Sequence, residues 1–212
     1  MQSLQPVIKQ LETLFSKFND RFYDGKLPKP VITVSPDSTN GAYGWCTSWK
    51  AWTDKEDADM NEGYYEINLC AEYLSRPIEL VAETLLHEMV HLFNLEQKIQ
   101  DTSRNGTYHN KRYKEAAENH GLNCGKDSKY GWTNTSLNDE AKAFVASLQN
   151  TKFELFRKRI PKMGKGTSKK SNSRKYVCPC CGAIVRATKE VSLICGSCFS
   201  PDTDPVYFDL EE

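Results

Sequence analysis

The stretch Leu85-Leu86-His87-Glu88-Met89-Val90-His91 decides how the rest of this chain is read. Two histidines four residues apart on a helix project from one face, about a turn apart, so both imidazoles reach one metal ion. Glu88 is rotated about 100° from His87 and about 60° from His91 at roughly 3.6 residues per turn. It therefore flanks the open coordination position without being a ligand. From there a carboxylate can take a proton from a water activated by zinc and pass it to a leaving amine. The five-residue pattern also arises by chance in ordinary helices. Here apolar residues flank it on both sides and the histidines lie off the main apolar stripe, which favours the metal reading.

The surrounding pattern supplies the helix. Ser75-Arg-Pro-Ile-Glu79 reads as its start, with Ser75 as cap and Pro77 in the first turn, and it runs to about Leu95. Ile78, Val81, Ala82, Leu85, Met89, Leu92 and Phe93 form one stripe that should bury against a sheet. Catalytic zinc takes three protein ligands and keeps one position open. Of the two remaining histidines, His109 opens the next helical stretch, about His109 to Asn119, after a polar loop from Gln97 to Thr107. His120 sits at a helix end before Gly121, where a histidine usually meets free carbonyls. His109 is therefore favoured as third ligand, with Glu96, Asp101 and Glu115 as carboxylate alternatives. Tyr108 and Tyr113 are candidates to assist the oxyanion.

Upstream, Val7, Leu11, Leu14, Phe15, Phe18 and Phe22 recur at helical spacing, and Asp24-Gly25 ends that helix. Strand-like runs follow at Val31–Val34, Ala42–Trp49 and Tyr64–Leu69, which predict a small antiparallel sheet. A further helix is predicted from Leu137 to Leu148.

Cys178-Pro-Cys-Cys181 and Cys195-Gly-Ser-Cys198 form two knuckles at the spacing of a structural zinc ribbon. The intervening Ala183–Ala187 and Val191–Ile194 read as a hairpin carrying them. A tail this short needs such a staple to fold. Cys180 is surplus to the four, and Cys46, Cys70 and Cys124 read as small apolar residues.

The formal net charge is zero, but residues 152–175 hold ten Lys or Arg against one acid, Glu154. Residues 161–175 have only Met163 as a large apolar side chain, so a flexible basic linker is predicted. The expected domains are one carrying the His-Glu-x-x-His helix at 1–150, a linker at 151–175 and the ribbon at 176–212. No stretch approaches the roughly 18 apolar residues of a membrane span. Met1-Gln-Ser-Leu-Gln-Pro6 lacks a signal-peptide pattern, so the expected location is cytoplasmic and the cysteines reduced.

The residues His87-Glu88-x-x-His91, then Gly106-x-x-His109 with an aromatic at Tyr113, and the following Cys-x-x-Cys ribbon resemble the SprT-like zinc metalloprotease family, which includes the eukaryotic protease Spartan. The resemblance spans most of residues 5–200. It implies an α+β fold whose zincin-like domain combines a small antiparallel sheet with the HExxH helix, followed by a small β zinc ribbon. It further implies His87, His91 and His109 as zinc ligands and Glu88 as the catalytic residue. Two zinc ions per chain are expected, one catalytic and one structural. The basic segment reads equally as a solvated tether or as a contact for nucleic-acid phosphates. The resemblance tips this toward DNA, and toward an endopeptidase acting on DNA-associated or DNA-crosslinked protein. The competing reading is a nucleic-acid-binding ribbon protein whose zincin domain is an inactive scaffold. Retention of Glu88 beside a full ligand set argues against it.

Overall fold

The computed structural model describes residues 2–37, 41–56, 59, 62–148, 153, 155–158, 173–201 and 203–211. Contacts divide the chain into two compact units, Met1–Arg159 and Ile160–Glu212. Of the expected linker, residues 151, 152, 154 and 159–172 lie outside the described residues. Phe153 is buried in the core of the first unit. Among the described residues no helix is long and apolar enough to cross a membrane.

Helix α1 (Gln5–Phe22) buries Val7, Leu11, Leu14, Phe15 and Phe18, the stripe that its sequence period calls for. It stops where Asp24 and Gly25 adopt φ of 55° and 68°. The Asn19 carboxamide then holds the turn, donating to the carbonyl of Leu27 and accepting from its N–H, both at 3.0 Å.

Strands β1 (Val31–Ser35), β2 (Gly44–Cys46) and β3 (Glu66–Cys70) form a sheet of order β1-β3-β2. Only β2 is antiparallel to β3; β1 runs parallel to it, which corrects the expected antiparallel sheet. A parallel pair needs a long crossover, and residues 36–65 supply one, leaving β2 on the far edge of β3. Periodicity reports that a strand exists and is silent on its direction.

Helix α2 (Ile78–Glu96) is the centre of the first unit. It starts later than its cap signal suggested: Pro77 occupies the capping position, and no side chain caps it. It touches α1, β2 and β3, two later strands (Leu122–Asp127 and Gly131–Leu137) and two later helices (Lys111–Asn119 and Asp139–Ser147). Burial therefore extends beyond the expected stripe to Thr84, Leu86, Glu88, Val90 and Asn94. A helix buried nearly all round belongs to the interior, so its polar residues must find partners there.

After α2 come β4 (Thr102–Ser103), β5 (Tyr108–His109), α3 (Lys111–Asn119), β6 (Leu122–Asp127), β7 (Gly131–Leu137) and α4 (Asp139–Ser147). The strands form a second sheet of order β4-β5-β7-β6. His109 thus lies in a strand rather than at a helix start. Asn110 caps α3 instead, its Oδ1 accepting from the N–H of Arg112 at 2.7 Å. Asn138 does the same for α4 through the N–H of Ala141 at 2.8 Å.

In the second unit β8 (Arg174–Val177), β9 (Ile184–Ala187) and β10 (Asp209–Glu211) pair antiparallel in the order β10-β8-β9. The expected hairpin between the knuckles is corrected. β9 pairs with the strand before the first knuckle, while in Val191–Ile194 only Ile194 bridges, to Tyr207. Arg174 and Lys175, read as linker, are the first residues of β8.

Candidate functional site

Helix α2 sets the spacing of His87 and His91, whose ring centroids lie 5.2 Å apart. Strand β5 brings the third ring. Its pairing with β7 places His109 opposite Gly131, and its N–H donates to the carbonyl of Tyr130 at 2.9 Å. The result is a convergence of Nε2 atoms: His87 to His109 at 3.2 Å and His91 to His109 at 3.1 Å. With Zn–N bonds of about 2.05 Å, two ligands of a tetrahedral ion stand about 3.3 Å apart. The three rings fit one such ion.

The outer nitrogens decide which tautomer faces inward. Asp101 Oδ2 accepts from His91 Nδ1 at 2.7 Å. His87 Nδ1 lies 3.3 Å from Thr135 Oγ1, whose own proton goes to Glu83 Oε1 at 3.0 Å. Both contacts fix a proton on Nδ1 and leave the Nε2 lone pair pointing inward, which is the form that binds metal. Lone pairs gathered this closely repel one another unless a cation sits among them. His109 Nδ1 is buried with no hydrogen-bond partner among the described residues.

Burial, then the neighbouring histidines, holds His87 well below its ordinary pKa. Burial and the proximity of His91 lower His109 to about 4. At His91 burial also pulls downward, but the bond to Asp101 and its charge outweigh it, and the pKa rises. Neutral His87 and His109 are ready as ligands.

Glu88 is 6% exposed and outside the histidine triplet. Burial pushes its carboxyl up to about 7, against the charge of His91 and a hydrogen bond from the backbone N–H of Cys46. Gly44 makes room for it. A Cβ there would stand 2.7 Å from the carbonyl oxygen of Asn68 and 3.3 Å from Glu88 Oε1. His87, Glu88 and His109 share a cleft of ≈ 500 Å³ whose walls include Tyr43, Gly44, Asn134 and Thr135.

Tyr113 is fully buried, its ring 4.9, 4.8 and 4.5 Å from those of His87, His91 and His109. It packs against the three histidine rings, and its hydroxyl is buried. That removes it as an oxyanion donor. His120 also stands apart: Nδ1 contacts the Ala116 carbonyl at 2.6 Å and the ring stacks on Tyr23 at 4.3 Å. Among the carboxylates left open as ligands, Asp101 serves behind His91, and neither Glu96 nor Glu115 joins the cluster. The Asp101 role had no sequence signal, because it depends on where a loop ten residues on from His91 returns.

In the second unit Cys178, Cys181, Cys195 and Cys198 converge, and Cys180 is exposed outside the set. Cys178 and Cys198 sulfurs are 3.9 Å apart, and Cys181 and Cys195 sulfurs 3.6 Å. A disulfide needs about 2.05 Å. Tetrahedral zinc with bonds of about 2.3 Å gives a sulfur separation of about 3.8 Å. The four thiols fit the ion and not a pair of disulfides. The Cys181 backbone N–H, first among several contacts, lowers the Cys178 thiol to about 7, toward the thiolate a metal requires.

A family model described as the SprT-like family matches residues 11–129, more than half of the chain. The matched span holds the three convergent histidines, Glu88 and Asp101, and ends before the four cysteines. No curated protein matches the chain, and no solved structure does.

Proposed function

Because this chain belongs to the SprT-like family, a family of metalloprotease-type domains, we propose that it is a zinc-dependent endopeptidase. The observation that carries the reading is the convergence of three Nε2 atoms, at 3.1 and 3.2 Å, beside a buried glutamate in an open cleft. His87, His91 and His109 would hold the catalytic zinc, and Cys178, Cys181, Cys195 and Cys198 a structural one. When bound, the catalytic ion supplies a Lewis acid for the scissile carbonyl and acidifies the attacking water.

The protein's own groups do the rest. Glu88, its carboxyl raised by burial in the protein, takes the proton of the attacking water on a carboxylate oxygen and delivers it to the leaving nitrogen. Asp101 and Thr135 keep the His91 and His87 rings in the ligating tautomer. The carbonyl of Tyr43 and the N–H of Thr47 bond to β3, so the backbone of Gly44 and Cys46 between them faces away from it. Gly44 lines the cleft. An extended substrate backbone adds beside Gly44 in the manner of a further strand, the Cys46 N–H being already given to Glu88. The substrate is a protein associated with or crosslinked to DNA, and the support for this is the ten-to-one basic excess of residues 152–175.

Glu88→Gln separates chemistry from scaffold. It is expected to retain zinc, measured by elemental analysis, and fold, measured by circular dichroism, while cleavage of a denatured protein substrate drops by at least about 10²-fold. Unchanged cleavage would exclude Glu88 as the proton carrier. An inactive wild type with full zinc would favour the scaffold reading.

A further inference from the structure

On the endopeptidase reading above, we infer that Tyr43 is a substrate-contacting wall of the cleft and Arg76 its positioning residue, together selecting peptides with an aromatic or large apolar side chain near the scissile bond. Tyr43 lines the cleft that holds His87 and Glu88, yet 50% of its surface is open to solvent. A tyrosine so exposed normally turns freely. This one is held from three directions. The Arg76 guanidinium carbon lies 4.2 Å from its ring centroid, and the Tyr73 ring meets it edge-on at 4.5 Å and 69°. Its carbonyl accepts from the N–H of Cys70 at 2.9 Å, which ties the backbone to β3.

Arg76 is itself locked. Nη2 donates to Thr84 Oγ1 at 2.9 Å and Nε to the carbonyl of Tyr73 at 3.0 Å. Thr84 in turn donates to the Leu80 carbonyl at 3.0 Å and stands four residues before Glu88 on α2. The clamp is therefore anchored, through Thr84, to the helix that carries the proton carrier. A planar guanidinium suits this task because it stacks on a ring while its edge hydrogen-bonds, which an ammonium cannot do. The exposed part of this held side chain offers a rigid apolar surface, and an aromatic partner gains by offset or edge-on packing against it. Holding the ring in advance removes the ordering cost that a mobile side chain would carry into binding. A backbone added along Gly44 passes the residue next to Tyr43.

The test uses full-length, zinc-loaded Glu88→Gln protein and labelled peptides carrying one Phe at successive positions of a Gly-Ser background, read by fluorescence anisotropy. At least one Phe position is expected to bind at least about tenfold tighter than the Phe-free peptide. Adding Tyr43→Ala should erase that preference, Tyr43→Phe should keep it, and Arg76→Lys should reduce it, with zinc content and circular dichroism unchanged. In the otherwise wild-type enzyme, Tyr43→Ala should raise KM for denatured casein while kcat stays within about twofold. No Phe preference, a preference surviving Tyr43→Ala, or one lost equally in Tyr43→Phe would overturn the inference. A wild type that cleaves nothing while the Tyr43-dependent preference persists would refute proteolysis and leave the inference standing.

Discussion

Asp101 Oδ2 accepts two hydrogen bonds, from His91 Nδ1 at 2.7 Å and from Asn94 Nδ2 at 3.0 Å. One carboxylate oxygen thus orients the His91 ring and accepts from the Nδ2 of a buried amide on the next turn of α2. Burial alone would raise the Asp101 pKa, but these bonds and the charge of His91 hold it below the ordinary carboxylate range. Outer partners of this kind are worth 10–100-fold in metal affinity. Asp101→Ala is therefore expected to weaken zinc at the histidine site by about that factor, measured by competition with a chelator. His120→Ala should leave the same affinity unchanged, since His120 bonds Ala116 and stacks on Tyr23. Equal losses in the two variants would show the effect to be general destabilisation. The histidine pair and Glu88 were legible in the sequence because their relation is local, fixed by helix geometry. Asp101 and Thr135 were not, because each acts across a contact between elements.

At the scale of elements, the third ligand depends on how closely β5 lies against β7. Gly131 has φ of 75°, and a Cβ built on it would stand 2.1 Å from the carbonyl oxygen of His109. No side chain fits there, and the left-handed backbone adds a cost of about 1–2 kcal/mol for any other residue. Gly131→Ala is expected to push β5 outward and lower zinc affinity at the histidine site more than tenfold, while the cysteine site keeps its metal. Retention of wild-type affinity would mean that β5 does not position His109. The β6–β7 hairpin has little sequence signature. Of its thirteen strand residues only Leu122, Gly131 and Leu137 are buried, so the alternation that marks a half-buried strand is almost absent. The direction of β1 is equally hidden, since its apolar pattern is the same whichever way β3 runs.

Over the whole chain, the histidine and cysteine clusters fall in different compact units, so metals proposed for them should be separable. Wild-type protein is expected to hold two zinc ions, and the Cys178→Ser, Cys181→Ser double variant one. A double variant retaining both metals would remove the ribbon assignment. The basic segment is tested apart from the ribbon. Arg174 and Lys175 belong to β8, and Lys175 pairs with Glu211, so replacing them would disturb a strand. Lys162, Lys165, Lys169 and Lys170 carry charge in the same segment. Their replacement by Ser is expected to weaken binding to single-stranded DNA and flatten its log–log salt slope, by roughly 0.7 for each phosphate no longer neutralised. An unchanged slope would leave the segment as a solvated tether.

Whatever rests on short-range covalent spacing was legible in the chain: the central helix with His87, Glu88 and His91, the first helix with its buried stripe, and the two cysteine knuckles. Helix pitch and the two-residue knuckle gap turn such spacing directly into geometry. Packing in three dimensions brings His109, and not His120, into the cluster, sets Asp101 behind His91 and outside the converging nitrogens, and buries Tyr113 beneath the rings. It also decided that β1 runs parallel to β3. Each of these depends on which residues distant in sequence come to lie together, and that follows from packing around α2. Packing is settled by the whole core at once, so no local pattern in the chain records it.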